Sequence, residues 1–324
     1  MTDRTEWFRD CGWGVFCHYL GAAPSTDGGA GLTARVWNAQ VDAFKLSGLR
    51  DQLVAVGAPY LCMTLGQNSG HYIAPNAAYD RYTGITPSKC ARRDLVADLY
   101  DALAPRGIRL LVYLPSGAPA ADPVAVREFG WEWGYEGGWP HSWGTKRTGK
   151  RLAEFQLKWE NVIREWSLRW GRRVSGWWID GCYFADEMYR HADAPNFASF
   201  AAAMRAGNPD AIVAFNPGVK VPVVCHTECE DYVAGEIAQA LPECPGPWVE
   251  YQGHKARYHI LSYLGESWCK GSQPRFPDEL AVGYTKHVMS KGGVVTWDVP
   301  IQIDGLIPEP FVRQLEAIAR GVRS

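Results

Sequence analysis

The sequence predicts an α/β fold, a single (β/α)8 TIM-like barrel spanning residues 1–324, and three observations carry that prediction. Continuously apolar runs of strand length alternate with segments in helical spacing. About eight such runs are present, as parallel strands buried on both faces require. Polar residues (His18, Gln67, Asn68, Asp180, Asn216, Glu236) fall at the C-terminal ends of those runs, where barrels of this kind place their chemistry.

In chain order, residues 12–19 read as a short strand ending in His18 and Tyr19. Val41, Phe44, Leu46, Leu49, Leu53 and Val56 follow helical spacing over 41–57, and 59–65 is an unbroken apolar run of strand length. A second helix over 93–106 is closed by Gly107, and 108–114 is the next strand. A helix over 154–170 leads to the stretch 175–183, where Trp177, Trp178 and Ile179 have the bulk of a sheet interior and Asp180 ends the run. Helix 197–205, strand 211–216, a strand over 231–236, strand 259–264, helix 279–290, strand 294–299 and helix 310–320 complete the alternation.

Composition narrows the classes of function. Hydrophobic residues make up 47% and charged residues 21%, and the net charge is −2, so nothing in the charge favours nucleic acid as a partner. The N-terminus lacks an apolar h-region, and no apolar run approaches the ~18 residues of a membrane span; the expectation is a soluble, cytoplasmic protein without a membrane partner. Nine cysteines, among them Cys17, Cys62 and Cys182 inside apparent strands, fit a reducing compartment. Cys225, His226 and Cys229 are close together, with Cys244 further on, but no second ligand pair stands at zinc-type spacing, so neither a metal nor a cofactor is expected. Fifteen tryptophans are more than a core readily absorbs, and Trp131, Trp133, Trp139 and Trp143 sit among glycines, a composition suited to walling a ligand site.

Asp180 is the carboxylate to explain, because an acid at the end of an apolar strand is costly unless it is paired or used. A retaining glycosidase needs one ionised carboxylate as nucleophile and one protonated carboxylic acid about 5–5.5 Å away. Asp180 fits the first role. Glu236, closing the expected 231–236 strand, is the first choice for the second, with Glu250, Glu228 and Glu266 as alternatives.

Several stretches, in order along nearly the whole chain, resemble the catalytic domain of family 29 glycoside hydrolases, the α-L-fucosidases. They are Trp7-Phe8-Arg9-Asp10 with 14–18, Arg93-Asp94-Leu95-Val96, Trp178-Ile179-Asp180-Gly181, and Ser290-Lys291-Gly292-Gly293 with Pro300, Asp304-Gly305 and Ile307-Pro308. The resemblance implies a retaining, metal-free hydrolase acting on an oligosaccharide or glycoside, with Asp180 as nucleophile, His18 binding sugar, and Glu236 as acid/base. Trp248-Val249-Glu250 also resembles a family segment, which keeps Glu250 as the rival acid. Where the family carries His-His-Asp-Gly after the second strand, this chain has Gln67-Asn68-Ser69-Gly70, with His71 displaced. The amides alter which hydroxyl pattern the site fits, so a fucoside or a related α-L-glycoside with an extra or moved hydroxyl is expected. Aromatic walls are expected from Trp178, Trp131 and Trp133. The family's C-terminal β-sandwich is not expected within the sequence, which leaves leaving-group recognition to loops such as 131–143 or to a second subunit of a homo-oligomer. The alternative function is an inverting or non-catalytic carbohydrate-binding barrel of the same ancestry.

Overall fold

The computed structural model describes residues 3–21, 32–132, 134–135, 145–146 and 149–323. Among these, seven strands form one parallel sheet: β1 (Trp13–Cys17), β2 (Tyr60–Thr64), β3 (Arg109–Pro115), β4 (Gly176–Asp180), β5 (Ile212–Phe215), β6 (His259–Tyr263) and β7 (Val294–Val299). Their order across the sheet is β6-β7-β1-β2-β3-β4-β5. Every strand but β3, whose ends reach solvent, and β4, whose last residue is only partly covered, is buried throughout, as the unbroken apolar runs required.

The sheet curls. Phe16, Tyr60, Leu111, Tyr113, Trp178, Ala214, Leu261 and Val294, drawn from all seven strands, pack into one inner cluster with Phe8. Tyr60 Oη lies 2.6 Å from Thr296 Oγ1, and Trp178 Nε1 donates to the Ala234 carbonyl at 3.0 Å. The outer face carries helices whose buried residues recur every three or four positions. In Ala153–Trp170 these are Phe155, Trp159, Val162, Ile163, Trp166 and Trp170; in Glu309–Arg323 they are Phe311, Leu315 and Ile318.

The result is a curled seven-stranded sheet and not the closed eight-stranded barrel that the alternation predicted. The missing member is the expected strand over 231–236. Its segment lies between β5 and β6, but it meets the β6 side through two isolated bridges, Tyr232 to Arg257 and Glu236 to Leu261, and the His259 ring against the Val233 and Ala234 carbonyls, not through a continuous ladder. On the β5 side one main-chain bond remains, Asp231 N to the Val213 carbonyl at 2.9 Å, and carboxylates accept from the strand's donors: Val213 N donates to Asp231 Oδ2 at 2.9 Å and Phe215 N to Glu230 Oε2 at 3.2 Å. Gly235 explains why pairing is interrupted between the two bridges. It sits at φ +62°, and a Cβ there would collide with the His259 carbonyl, so the apolar composition of the segment yields to a left-handed turn.

Smaller differences have similar causes. The helix expected over 41–57 is two helices, Ala34–Asp42 and Leu46–Ala55, because Phe44 turns into the core and Lys45 N bonds the Asp304 carbonyl. The helix expected over 93–106 begins at Leu95, where Asp94 caps Ala97 N, and passes into a 3-10 turn at Pro105.

Asp231 also pairs with Arg205 at 2.5 Å, so one half-buried carboxylate closes the gap beside β5. Asp231→Ala should therefore cost about 1–3 kcal/mol, by orphaning the Val213 N–H and leaving the Arg205 guanidinium with backbone carbonyl partners alone. Urea denaturation checks this through a lower midpoint at unchanged slope; a midpoint like that of the wild type would mean the gap is held by other contacts.

Candidate active site

The C-terminal ends of the strands surround a cleft of about 500 Å3 lined by Phe16, His18, Gln67, Asn68, Tyr113 and Trp178, with Asp180, Tyr183 and Glu236 on one side and Trp268 and Lys270 on another. A larger cleft, about 800 Å3, opens at the other end of the sheet between Arg4, Trp7, Arg109 and Asp210. There Arg172 pairs with Asp210 at 2.6 Å and Arg109 stacks on Trp7. In the smaller cleft, by contrast, two carboxyl groups share one amide donor.

Asp180 is the last residue of β4, and its carboxylate is held from two sides. Tyr113, in β3, donates Oη–H to Oδ2 at 2.6 Å, and Asn216, one residue past β5, donates Nδ2–H to Oδ1 at 2.8 Å. Tyr183 Oη lies 3.4 Å from the same Oδ1. Burial, and then the Asp180 charge, push the Tyr113 phenol well above its ordinary range, so it stays a donor. Gln67 Nε2 donates in turn to Tyr113 Oη at 2.7 Å, which makes a chain from amide to phenol to carboxylate.

Glu236 is the second acid. Asn216 Nδ2 donates its other hydrogen to Glu236 Oε2 at 2.6 Å, so a single amide nitrogen bridges the two carboxyl groups. Both oxygens lie within 2.8 Å of that nitrogen and are therefore less than twice that distance apart. Burial and then the neighbouring Asp180 charge push the Glu236 carboxyl up to about 7, against the smaller opposing pull of the Asn216 hydrogen bond. The cleft thus holds one carboxylate supported by strong donors beside one carboxylic acid that retains its proton near neutrality.

The other expected site residues divide. His18, directly after β1, is buried except for its edge on the cleft, and its Nδ1 lies 2.7 Å from Asp298 Oδ1. Trp178 forms the floor, stacked on Tyr113 at 5.4 Å. Asn68 lines the cleft beside Gln67. His71 does not reach it: the ring is buried edge-on to Trp37 at 6.0 Å, neither nitrogen has a partner among the described residues, and burial holds it down at about 4. Trp131 packs on Phe155 at 4.5 Å and over Gly117 and is not part of the lining. Trp133, Trp139 and Trp143 lie outside the described residues.

Of the rival acids, Glu250 is exposed on the antiparallel hairpin Trp248–Tyr251 and His254–Arg257, opposite Lys255, while Glu228 and Glu266 also face solvent. None lines the cleft. Among the described residues no three His, Cys, Asp or Glu side chains converge as metal ligands; His226 Nε2 instead lies against the Cys182 carbonyl at 3.0 Å. No described helix is long and apolar enough to cross a membrane. Sequence reasoning missed Tyr113, Tyr183, Trp268 and Asp298. The available signal for Tyr113 and Asp298 was a polar group near the C-terminal end of an otherwise apolar run.

No protein-family model matches the chain, and no curated protein does. Solved structures do. An endo-fucoidan hydrolase of glycoside hydrolase family 107, MfFcnA4, superposes with TM-score 0.72 at 19% identity over 98% of this chain, which spans about half, 53%, of that protein. A second enzyme of that family, P5AFcnA, gives TM-score 0.68 at 15% identity over 99% of this chain and 93% of its own. Alpha-L-fucosidase isoenzyme 1 from Paenibacillus thiaminolyticus gives TM-score 0.65 at 17% identity over 99% of this chain and 75% of its own. The fold is that of fucose-processing glycoside hydrolases, and because the likeness is shared between two groups of them it does not single out family 29.

The electrostatic coupling of the two acids has a direct consequence. In Asp180→Asn, removal of the neighbouring charge should move the Glu236 titration below its wild-type position near 7, while burial keeps it above the ordinary glutamate value of 4.5. Infrared titration of the carboxyl band reads both proteins; an unmoved Glu236 would show that the two groups do not sense each other.

Proposed function

We propose that the protein is a retaining glycoside hydrolase that releases a terminal α-L-fucosyl or related α-L-glycosyl residue, with Asp180 as nucleophile and Glu236 as acid/base. The observation that carries this reading is the Asn216 amide bridging a supported carboxylate to a carboxylic acid of raised pKa. The bridge keeps the two nearest carboxyl oxygens less than twice 2.8 Å apart, which supports the about 5–5.5 Å spacing of a retaining pair over the ~6.5–9.5 Å of an inverting one. The fold shared with fucosidases and endo-fucoidan hydrolases supports the same class.

In this mechanism the Asp180 carboxylate attacks the anomeric carbon while Glu236 gives its proton to the departing glycosidic oxygen. Oε2 of Glu236 accepts from Asn216, which leaves Oε1 as the atom to carry that proton. The Tyr113 and Asn216 hydrogen bonds orient Asp180 before attack and release charge as the glycosyl ester forms. Water, deprotonated by the now anionic Glu236, then hydrolyses the ester and restores both groups. A cleft of about 500 Å3, toward the small end of ligand sites, suits one glycosyl unit better than a long run, which favours release of a terminal residue. Gln67, engaged with Tyr113 through Nε2, presents Oε1 as an acceptor, and Asn68 offers a second amide for the hydroxyls.

A panel of aryl α- and β-glycosides, including fucoside and L-galactoside, tests the reading. Asp180→Ala should lose roughly three or more orders of magnitude in turnover. Glu236→Ala should lose most activity on poor leaving groups, far less on activated aryl glycosides, and recover in part with azide. Because Glu236 must be protonated in the first step, wild-type activity should fall as pH rises through about 7. Near-wild-type turnover by Asp180→Ala, or release of oligosaccharides without monosaccharide, would overturn the nucleophile or the terminal specificity respectively.

A further inference from the structure

Asp298 is fully buried near the end of β7, and its carboxylate has two partners. Oδ1 lies 2.7 Å from His18 Nδ1, and Oδ2 accepts from the Cys269 backbone N–H at 2.6 Å. Both partners belong to the wall of the cleft. His18 lines it directly, and Cys269 lies between Trp268 and Lys270, which line it too; the Trp268 ring stands 6.3 Å from the His18 ring. Cys269 adopts φ +53°, a conformation that residues other than glycine seldom take, so the hydrogen bond to Asp298 falls where the backbone most needs holding.

A buried carboxylate is a poor way to stabilise a core, since an apolar side chain of similar volume usually serves as well or better. Its value here is geometric. Because Cys269 N–H is a fixed donor and a carboxylate only accepts, the remaining oxygen requires a donor from His18. We propose that Asp298 is a positioning residue for sugar recognition: it holds His18 as the Nδ1–H tautomer, so that Nε2 faces the cleft as a hydrogen-bond acceptor, and it fixes the Trp268–Lys270 wall through Cys269. The proposal rests on the glycoside hydrolase reading only for the identity of the ligand. In its terms, the glycone must offer a hydroxyl that donates to His18.

Asn at this position gives a distinctive outcome. The Cys269 N–H cannot change sign, so the asparagine oxygen must turn to it, and the amide N–H then faces His18 Nδ1. The histidine can respond only by moving its proton to Nε2. Nitrogen-15 NMR of histidine-labelled protein at mildly alkaline pH, with the His18 signals assigned by their loss in His18→Gln, should show a protonated Nδ1 and bare Nε2 in the wild type and the reverse in Asp298→Asn. A wild-type His18 with bare Nδ1, or with both nitrogens protonated, overturns the proposal, and this arm needs neither turnover nor a folded Asp298 variant. In kinetics, Asp298→Asn should lower kcat/KM roughly ten- to hundredfold on the hydroxylated glycoside and much less on the monodeoxy analogue lacking the hydroxyl that His18 reads. An equal loss on every monodeoxy analogue would assign Asp298 a purely structural role. Absence of hydrolysis with all glycosides sinks the proposed function, and the wild-type tautomer still decides the role of Asp298.

Discussion

The two hydrogens of the Asn216 side-chain amide hold the site together. One goes to Asp180 Oδ1 and the other to Glu236 Oε2, so groups that would repel if both were ionised are kept on either side of a common donor. The amide cannot equalise them, because the remaining partners differ. Asp180 also accepts from Tyr113, whereas Asn216 is the one side-chain hydrogen bond opposing the burial and the Asp180 charge that raise Glu236. The raised position of Glu236 thus follows first from burial and then from the Asp180 charge, which a single amide donor does not offset.

Glu236 owes its position to the irregularity of the segment that carries it. A regular eighth strand would alternate its side chains between the inner and outer faces and fix the acid by register. Instead the chain between β5 and β6 is tied by the Asp231 and Glu230 carboxylates and by two isolated bridges, and it turns left-handed at Gly235 immediately before the acid. Glu236 is therefore delivered by a turn, while Trp178 Nε1 anchors the inner side of the segment at the Ala234 carbonyl. The gap in the sheet and the geometry of the site are one feature.

Much of this was legible in the sequence because it follows from local pattern. Apolar runs placed β1 to β7 within a residue or two, and Asp180, Asn216, Glu236, His18, Gln67 and Asn68 were identified as polar ends of those runs and lie in or at one cleft. What was not legible depended on long-range contacts. The 231–236 run has strand composition, and only the approach of the His259 carbonyl makes Gly235 a turn. His71 is adjacent in sequence to the cleft loop, yet the packing of Trp37 takes its ring away. Trp131 sits in a Gly-rich stretch suited to a ligand wall, but Phe155 and Gly117 offer it a better apolar partner. Asp298 looked like one more residue of a buried strand because its two partners are 280 and 29 residues away.

Three carboxyl groups near this end of the sheet show why a raised pKa alone does not single out the proposed acid. Burial pushes Glu230 up to about 8, further than Glu236 at about 7. Yet Glu230 accepts from the His226 and Phe215 backbone N–H groups and is sealed from the cleft, so its proton has no route to a substrate. Asp298 binds a backbone N–H and a histidine and is sealed as well. Glu236 alone of the three borders the cleft, with one oxygen committed to Asn216. A carboxyl group whose two oxygens both accept from fixed donors is poorly suited to act as a general acid whatever its pKa, because a proton on either oxygen competes with those donors. A general acid needs an oxygen that can gain and lose a proton without disturbing the wall around it, and in this protein that condition is met where the sheet fails to close.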